Sequence, residues 1–243
     1  NFLSKSDQSK KGYLKEGILN FLALMGWSFG GDKEIFTLEE MIKNFSFDKV
    51  SLGDPVFDLV KLKWVNNHHM RMKDLDELTK LAIPYFVRAG YYNNENISDK
   101  DYEKLRRIVE ITREGSQTLK ELPINASIYF EDEFELPLLE EGMNKKERKS
   151  VEKLISSLET ETGKKSISLF VEKLNALNEN ISEEEAKKTL YDLQEELGEG
   201  PATVIMPLRA VITGKSKGSD LYTVISIVGK ERVLKRIKNI LEK

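Results

Sequence analysis

Apolar residues recur three and four positions apart along most of the chain, which predicts a mainly α-helical protein. The first such pattern runs from Gly12 to Gly26. Its apolar positions are Leu14, Ile18, Leu19, Leu22 and Met25. Thr37 and Glu40 have the spacing of a capping box, so a second helix is expected to begin there.

Two more helical patterns precede a predicted joint. Apolar positions within residues 75–83 indicate a helix that Pro84 is expected to end or kink. Ser98 and Asp101 are spaced as the cap of the next helix. The helical period fails over residues 115–142, where prolines and an acidic, aromatic stretch replace it. We therefore predict a joint in this region.

After the joint, a helical pattern is followed by a segment rich in proline, glycine and serine. Three helices are expected first, and their predicted starts lie near Lys145, Ser166 and Ser182. Gly198 is expected to end the third helix. Residues 201–220 mix proline, glycine and serine with short apolar runs, so they are interpreted as a loop-rich segment. An apolar run at 221–227 and an amphipathic helix after Gly229 complete the pattern.

Composition places the chain among globular proteins. Its 243 residues are 40% hydrophobic and 33% charged, with a mean hydropathy of −0.44. The longest apolar runs are shorter than the roughly 20 residues that span a bilayer, so no membrane partner is expected. Cysteine is absent, which excludes disulfides and thiolate chemistry and is typical of a cytoplasmic protein.

Charge is spread unevenly around the overall value of −3. Residues 201–243 contain nine Lys or Arg and three Asp or Glu, a local charge of +6, which leaves −9 for the first 200 residues. Such asymmetry predicts a polyanionic partner for the basic end.

Motifs for catalysis or metal binding are weak. Residues 163–166 and 214–216 resemble the end of a phosphate-binding loop, but both lack the required earlier glycine, so they are interpreted as basic loops. His68 and His69 are adjacent and should point apart, unlike a zinc-binding pair. No metal site and no catalytic triad are predicted.

The stretch around Arg209 and Lys217 is a better candidate site. It combines cations, loop carbonyls, Leu221 and Tyr222, a mixture that binds single-stranded bases. From composition alone, core packing of Leu221 and Tyr222 beneath a solvated rim of lysines is equally supported.

Three segments resemble the bacterial glutamyl-tRNA synthetase family. Residues 12–27 resemble the helix that follows the catalytic lysine loop and ends in Gly-Trp. Residues 56–71 resemble the Phe-Asp-x-x-Lys-Leu-x-Trp-x-Asn segment, and residues 206–237 resemble the C-terminal signature. The matched positions of the middle segment are Phe57, Asp58, Lys61, Leu62, Trp64 and Asn66. Residues 74–200 match only in helical character and in TREGSQTLKEL.

The resemblance implies a division of labour. Residues 1–82 would be a stem-contact region, and residues 83–150 and 151–243 would be two helical-bundle units that form an anticodon-binding cage. The implied partner is tRNA and not DNA. The parent would be a monomeric ligase that attaches glutamate to tRNA with ATP and Mg, whereas this part would need no cofactor.

The same resemblance implies site residues. Arg209 would hydrogen-bond the first base of the anticodon, and Leu221 would contact it through apolar atoms, which favours RNA contact over core packing alone. The adjoining loop residues are Lys217, Gly218, Ser219 and Asp220. A guanidinium fork is suited to reading an unstacked base edge.

Two departures from the family pattern have consequences. Residues 2–6 keep only the later part of the lysine loop, with Phe2 in place of its first lysine, so Lys5 is a remnant and no catalytic residue is expected in this chain. Gly115 stands where family members restricted to the glutamate tRNA resemble one another in carrying arginine. We predict a parent that also charges the glutamine tRNA. A shifted alignment in which Arg113 serves instead is the alternative.

A second function remains open at this point. The chain could be a helical protein-interaction module whose basic end binds an acidic partner. An enzyme complete in this chain is disfavoured, because nucleophile, base and phosphate-loop patterns are weak.

Overall fold

The computed structural model describes residues 11–51, 53 and 56–242. Within them, the elements are helices apart from one isolated antiparallel bridge between Trp27 and Val50. The prediction of a mainly α fold is therefore confirmed. Across the described residues, no helix is long and apolar enough to cross a membrane.

The chain divides into two compact units. Unit 1 comprises residues 1–127 and unit 2 comprises residues 128–243, so the boundary falls inside the predicted joint at 115–142. The functional boundaries expected after residues 82 and 150 stay predictions.

Unit 1 consists of short helices with polar caps. Its α-helices are α1 (Lys15–Gly26), α2 (Leu38–Asn44), α3 (Leu59–Met72), α4 (Leu75–Arg88), α5 (Asp99–Thr112) and α6 (Glu121–Asn125), with a 3-10 turn at Phe47–Lys49. The capping box of Thr37 and Glu40 is present at the start of α2. Asp58, Asp74 and Ser98 accept hydrogen bonds from the first N–H groups of α3, α4 and α5. These caps fix the helix starts by local chemistry.

Helix α1 packs on α3 through a face that matches the predicted one only in part: Leu14 is buried and Ile18 and Met25 pack against the core. Leu19 and Leu22 are 42% and 39% exposed, whereas Phe21 is buried against Leu62 and Val65 of α3. The prediction that both leucines belong to the buried face is wrong. The buried side of α1 also contains a polar residue, Asn20, which a pattern of apolar positions cannot identify.

Asn20 is fully hydrogen-bonded within this buried side of α1. It is fully buried, and its amide donates to the carbonyl of Glu34 at 2.8 Å. Its Oδ1 accepts from the backbone N–H of Phe36 at 3.1 Å and lies 2.9 Å from Nε2 of His69. Because these partners satisfy the amide, a polar residue is stable in the core.

Helix α4 continues through Pro84 to Arg88, so the proline does not end it. Proline removes one hydrogen bond of the helix interior. Buried Ala82, Tyr85 and Phe86 surround this position, and their packing on the core offsets that loss.

Unit 2 is built from longer helices. They are α7 (Lys145–Glu159), α8 (Glu161–Asn175), α9 (Glu183–Leu197), α10 (Pro201–Thr213), α11 (Leu221–Val228) and α12 (Lys230–Leu241), preceded by a 3-10 turn at Ser127–Tyr129. The start predicted near Ser166 was too late, because Thr160 caps α8 and the helix begins at Glu161, five residues earlier. Gly198 ends α9 in the left-handed conformation, as predicted.

The loop-rich interpretation of residues 201–220 is wrong for its first part, which forms helix α10. Pro201 stands at the first helical position, where its missing N–H costs nothing. Val204, Leu208 and Val211 recur at helical spacing and are fully buried. Their burial stabilises a helix that Pro207 alone would have disfavoured.

Candidate nucleic-acid interface

Residues 214–220 form a short loop, called here the basic loop, between α10 and α11. Gly214 ends α10 with φ +65, and a Cβ at this position would lie 2.6 Å from the ring of Phe134, so only glycine fits without strain. A helix and not a strand precedes the loop. The basic-loop interpretation of residues 214–216 is therefore confirmed, whereas that of residues 163–166 is wrong, because these residues lie inside α8.

Arg209 and the basic loop are joined through Ser219. Nη2 of Arg209 donates to the carbonyl of Ser219 at 2.9 Å, and the hydroxyl of fully buried Tyr129 donates to its Oγ at 3.0 Å. Burial lowers the pKa of Arg209, while the charge of Asp220 raises it. An arginine stays charged throughout the physiological range. The half-buried guanidinium is thus a cation held in one orientation at the base of the loop.

The rest of the basic loop is also tied to its surroundings. Thr213 Oγ1 accepts from the backbone N–H of Lys215 at 3.1 Å, and Ser216 Oγ lies 2.8 Å from Ser150 Oγ of α7. Lys217 and the adjoining glycine lie between these hydrogen bonds and Ser219, and both are exposed. The loop therefore offers an exposed cationic tip on an anchored backbone.

Leu221 lies below this surface. It is the first residue of α11 and is only 2% exposed. Next to it, the hydroxyl of half-buried Tyr222 donates to Oδ2 of Asp220 at 2.7 Å, and Lys187 Nζ lies 5.5 Å from the Tyr222 ring centroid. The geometry thus brings Arg209 and Ser219 together and places Leu221 in the core. A base contact by Leu221 stays a prediction.

A groove of about 460 Å³ adjoins the basic loop. It is lined by Met143, Asn144, Lys146, Glu147, Ser150, Val151, Ser216 and Lys217. Its walls therefore combine apolar side chains, a hydroxyl pair, Lys146 and Glu147 at the start of α7, and Lys217 of the basic loop.

Several cations of the basic end have structural partners. Lys230 Nζ donates to the carbonyls of Asn175 and Leu177 at 3.0 and 2.7 Å. Arg232 and Lys235 both form ion pairs with Asp132. The local charge of +6 therefore overstates the positive surface available to a partner. The cations around the basic loop are the better candidates for contact with a polyanion.

Arg236 is the extreme case among these cations. It is 1% exposed, and its guanidinium donates to the carbonyls of Ile212 and Ile128 at 3.0 and 2.7 Å and also to that of Glu131. Burial lowers its pKa to about 10. It fastens the segment that carries Tyr129 to the end of α10. Sequence reasoning missed this role, because an arginine among basic neighbours gives no signal of burial.

Gly115 lies in unit 1, in the exposed turn after α5. Its carbonyl accepts from Asn125 at 3.3 Å, and no atom lies within 4 Å of the position where a Cβ would stand. Arg113, the alternative from a shifted alignment, has Nη1 3.5 Å from the carbonyl of Lys73. The position of Gly115 can thus accept a larger side chain.

The two histidines have separate surroundings. His69 contacts Asn20 in the core, whereas the ring of His68 lies 4.3 Å from that of Trp64. The described part of the chain contains no group of His, Asp and Glu side chains suited to a metal ion. Lys5 lies outside the described residues.

Two family descriptions match the chain. "Anticodon binding domain" matches residues 77–241, and "tRNA synthetases class I (E and Q), catalytic domain" matches residues 1–64. The first match includes Arg209, the basic loop and Gly115.

Similar proteins carry consistent names. The chain is 59% identical over 235 residues to the glutamate–tRNA ligase of Fusobacterium nucleatum, covering 96% of this chain and 46% of that protein. It is 39% identical over 228 residues to glutamate–tRNA ligase 1 of Caldicellulosiruptor saccharolyticus, covering 94% of this chain and 44% of that protein. The chain thus spans about half the length of the curated relatives it matches.

A solved structure agrees with these relatives. The glutamate tRNA ligase from Elizabethkingia meningosepticum, in complex with its amino acid, superimposes with a TM-score of 0.73 at 28% identity, covering 96% of this chain and 42% of that one. The helical fold, the match over residues 77–241 and these relatives agree with one another. The chain belongs to the anticodon-binding domain family, in the form carried by glutamate–tRNA ligases.

Proposed function

We propose that this chain is the tRNA-reading part of a glutamate–tRNA ligase, in which Arg209 and the basic loop bind the anticodon. The observation that carries the proposal is the half-buried guanidinium of Arg209, oriented by Ser219 beneath the exposed tip at Lys217. An arginine fork has five donors, so one bond to a carbonyl leaves others for a base or phosphate. The anchored backbone lowers the entropy cost of ordering this surface on binding.

The parent of this chain is proposed to attach glutamate to tRNA with ATP and Mg. The match of residues 1–64 to a class I catalytic domain supports this proposal. We propose a cytoplasmic, monomeric enzyme, and size-exclusion chromatography of the longer protein tests its monomeric state. This part is proposed to bind tRNA without a cofactor.

Arg209→Ala tests the proposal directly. The truncation should weaken binding of a bacterial glutamate tRNA by about 1–3 kcal/mol if Arg209 reads a base. Gel shifts at fixed salt with a duplex DNA competitor measure this loss. Lys164→Ala removes an exposed cation of α8 and serves as the matched control, with little expected effect.

Arg209→Lys separates base reading from charge. Lysine keeps the positive charge but lacks the planar fork, so selectivity for the matched anticodon should fall more than affinity for tRNA in general. Unchanged affinity and selectivity in both Arg209 variants would contradict the proposal.

Gly115 supports a finer proposal, that the parent charges both the glutamate and the glutamine tRNAs. The open space around this residue should admit Gly115→Arg, which would restrict charging to the glutamate tRNA. Gly115→Ala is the control for backbone effects, and Arg113→Ala tests the shifted alignment. Strict preference of the unaltered longer enzyme for the glutamate tRNA would overturn this proposal.

A further inference from the structure

Asn66 is the end of the Phe-Asp-x-x-Lys-Leu-x-Trp-x-Asn segment, and the proposed function gives it no role. Three of the other five matched positions have structural explanations: Asp58 caps α3, Leu62 is core, and Lys61 pairs with Glu34. Asn66 is fully buried, and both ends of its amide are used. Asn66 differs from the other matched positions in its hydrogen-bond partners, which lie far away in sequence.

The amide of Asn66 bridges two distant stretches of unit 1. Its Oδ1 accepts from the backbone N–H of Leu14 at 2.7 Å, and its Nδ2 donates to the carbonyl of Gln117 at 2.7 Å. A backbone bond runs parallel to this bridge, because the N–H of Leu119 donates to the carbonyl of Gly12 at 2.8 Å. Residues 12–14 and 117–119 are therefore joined twice.

The stretch at 117–119 continues into the turn that contains Gly115. Asn67 Nδ2 donates to the carbonyls of Arg113 and Ser116 at 3.1 and 2.7 Å. Asn125 donates to the carbonyl of Gly115 at 3.3 Å and to Ser116 Oγ at 2.8 Å. Residues 113–119 thus form one segment whose backbone is held by side-chain amides.

Gly12, at the other end of the bridge, lies in close contact with the backbone of residues 119–120. Its φ is +79, and a Cβ there would lie 2.6 Å from the backbone nitrogen of Lys120, so the two backbones touch. In sequence, Gly12 follows Ser6, the last position of the lysine-loop resemblance, by six residues. The close approach therefore involves the backbones of Gly12, Leu119 and Lys120.

We propose that Asn66 is a positioning residue that couples RNA binding at residues 113–119 to residues 12–14. The inference rests on the proposed role of Gly115 in tRNA recognition. RNA bound at this turn restricts the opening of 113–119. Because Leu14 and Gln117 share the Asn66 amide, the bond that holds Leu14 opens less often as well. Recognition at the turn thereby steadies residues 12–14.

Hydrogen exchange on the 243-residue chain tests the coupling, with the anticodon stem–loop of a bacterial glutamate tRNA as the probe. In the unaltered chain, the RNA should slow exchange at residues 12–16 and at 113–119 by roughly fivefold or more. In Asn66→Ala, the RNA-induced slowing at residues 12–16 should be smaller by roughly threefold or more than in the unaltered chain, while the slowing at residues 113–119 should be unchanged. Some slowing at 12–16 is expected to remain, because the Gly12–Leu119 bond persists.

Asn67→Ala is the matched control, since this neighbour of the same type holds residues 113 and 116 without contacting residues 12–14. It should leave the slowing at 12–16 intact. Circular dichroism confirms that each variant is folded, and Asn66→Ser replaces Asn66→Ala if the latter unfolds.

Three results would overturn the coupling while leaving RNA binding established. They are slowing at 113–119 without slowing at 12–16, equal effects of the two variants, and full slowing at 12–16 in Asn66→Ala, which indicates direct RNA contact. Absence of RNA binding by the unaltered chain would overturn the proposed function itself, and this inference with it.

Discussion

Replacing Arg236 by leucine should destabilise unit 2 by about 3 kcal/mol. Burial is the largest cause that lowers the pKa of Arg236 to about 10, which corresponds to a cost on the order of 3 kcal/mol for keeping the charge in this position. Three carbonyls receive hydrogen bonds from the guanidinium, and bonds to a charged donor contribute about 1.5–3 kcal/mol each. Arg236→Leu removes about 6 kcal/mol of bonding and recovers about half of it.

Urea unfolding can follow the two units separately. Both tryptophans, Trp27 and Trp64, lie in unit 1, so their fluorescence reports on unit 1 and circular dichroism adds unit 2. With a slope of roughly 2–3 kcal/mol per molar urea, the unit 2 midpoint should fall by about 1 M, while the fluorescence midpoint stays unchanged.

Lys238→Leu is the matched control, because it removes a cation from the exposed side of the same helix. It should change stability by less than about 0.5 kcal/mol. A loss below about 1 kcal/mol for Arg236→Leu, or equal losses for the two variants, would refute the reasoning that the carbonyl bonds outweigh the cost of the buried charge.

Three other predictions concern the core and the site. Leu221→Ala should cost about 2–5 kcal/mol in urea unfolding because the side chain is buried, and a similar loss of RNA affinity in the still-folded fraction would show an additional base contact. Burial lowers the pKa of His69, so the unfolded chain binds its proton more readily. Stability should therefore fall as the pH drops below about 6.5, and His69→Gln, which can still donate to Asn20, should flatten this dependence between pH 7.5 and 5.5 in urea titrations. Gly214→Ala should lower the free energy of unfolding by about 1–3 kcal/mol and weaken RNA binding in gel shifts, because the left-handed backbone and the ring of Phe134 both oppose a Cβ.

Helix starts and stops were predictable because their causes are local. Thr37 and Ser182 each meet a glutamate three residues later, and the capping boxes form without help from the rest of the fold. Gly198 ends α9 for an equally local reason. Helix α10 was missed because its stability comes from buried Val204 and Leu208, which outweigh the proline signals.

The burial of certain polar residues was also not predicted from the sequence. Asn20, Asn66 and Arg236 each bond to backbone groups far away in sequence, and no local pattern announces such partners. The family resemblance found Arg209 and the basic loop but could not reveal that Tyr129 and Arg236 hold them in place. These supporting contacts of Tyr129 and Arg236 form only in the folded tertiary structure.

The bond between Gly12 and Leu119 also sets an order of events during synthesis. Residues 12–14 leave the ribosome first, yet their partners at 117–119 are made almost a whole unit later. Non-local contacts of this kind form late in folding, after the loop between them has been closed. Until residue 119 emerges, α1 and α3 can pack together, but the Asn66 amide has only one of its two partners. Residues 12–14 therefore complete their hydrogen bonds only after the C-terminal end of unit 1 has been made.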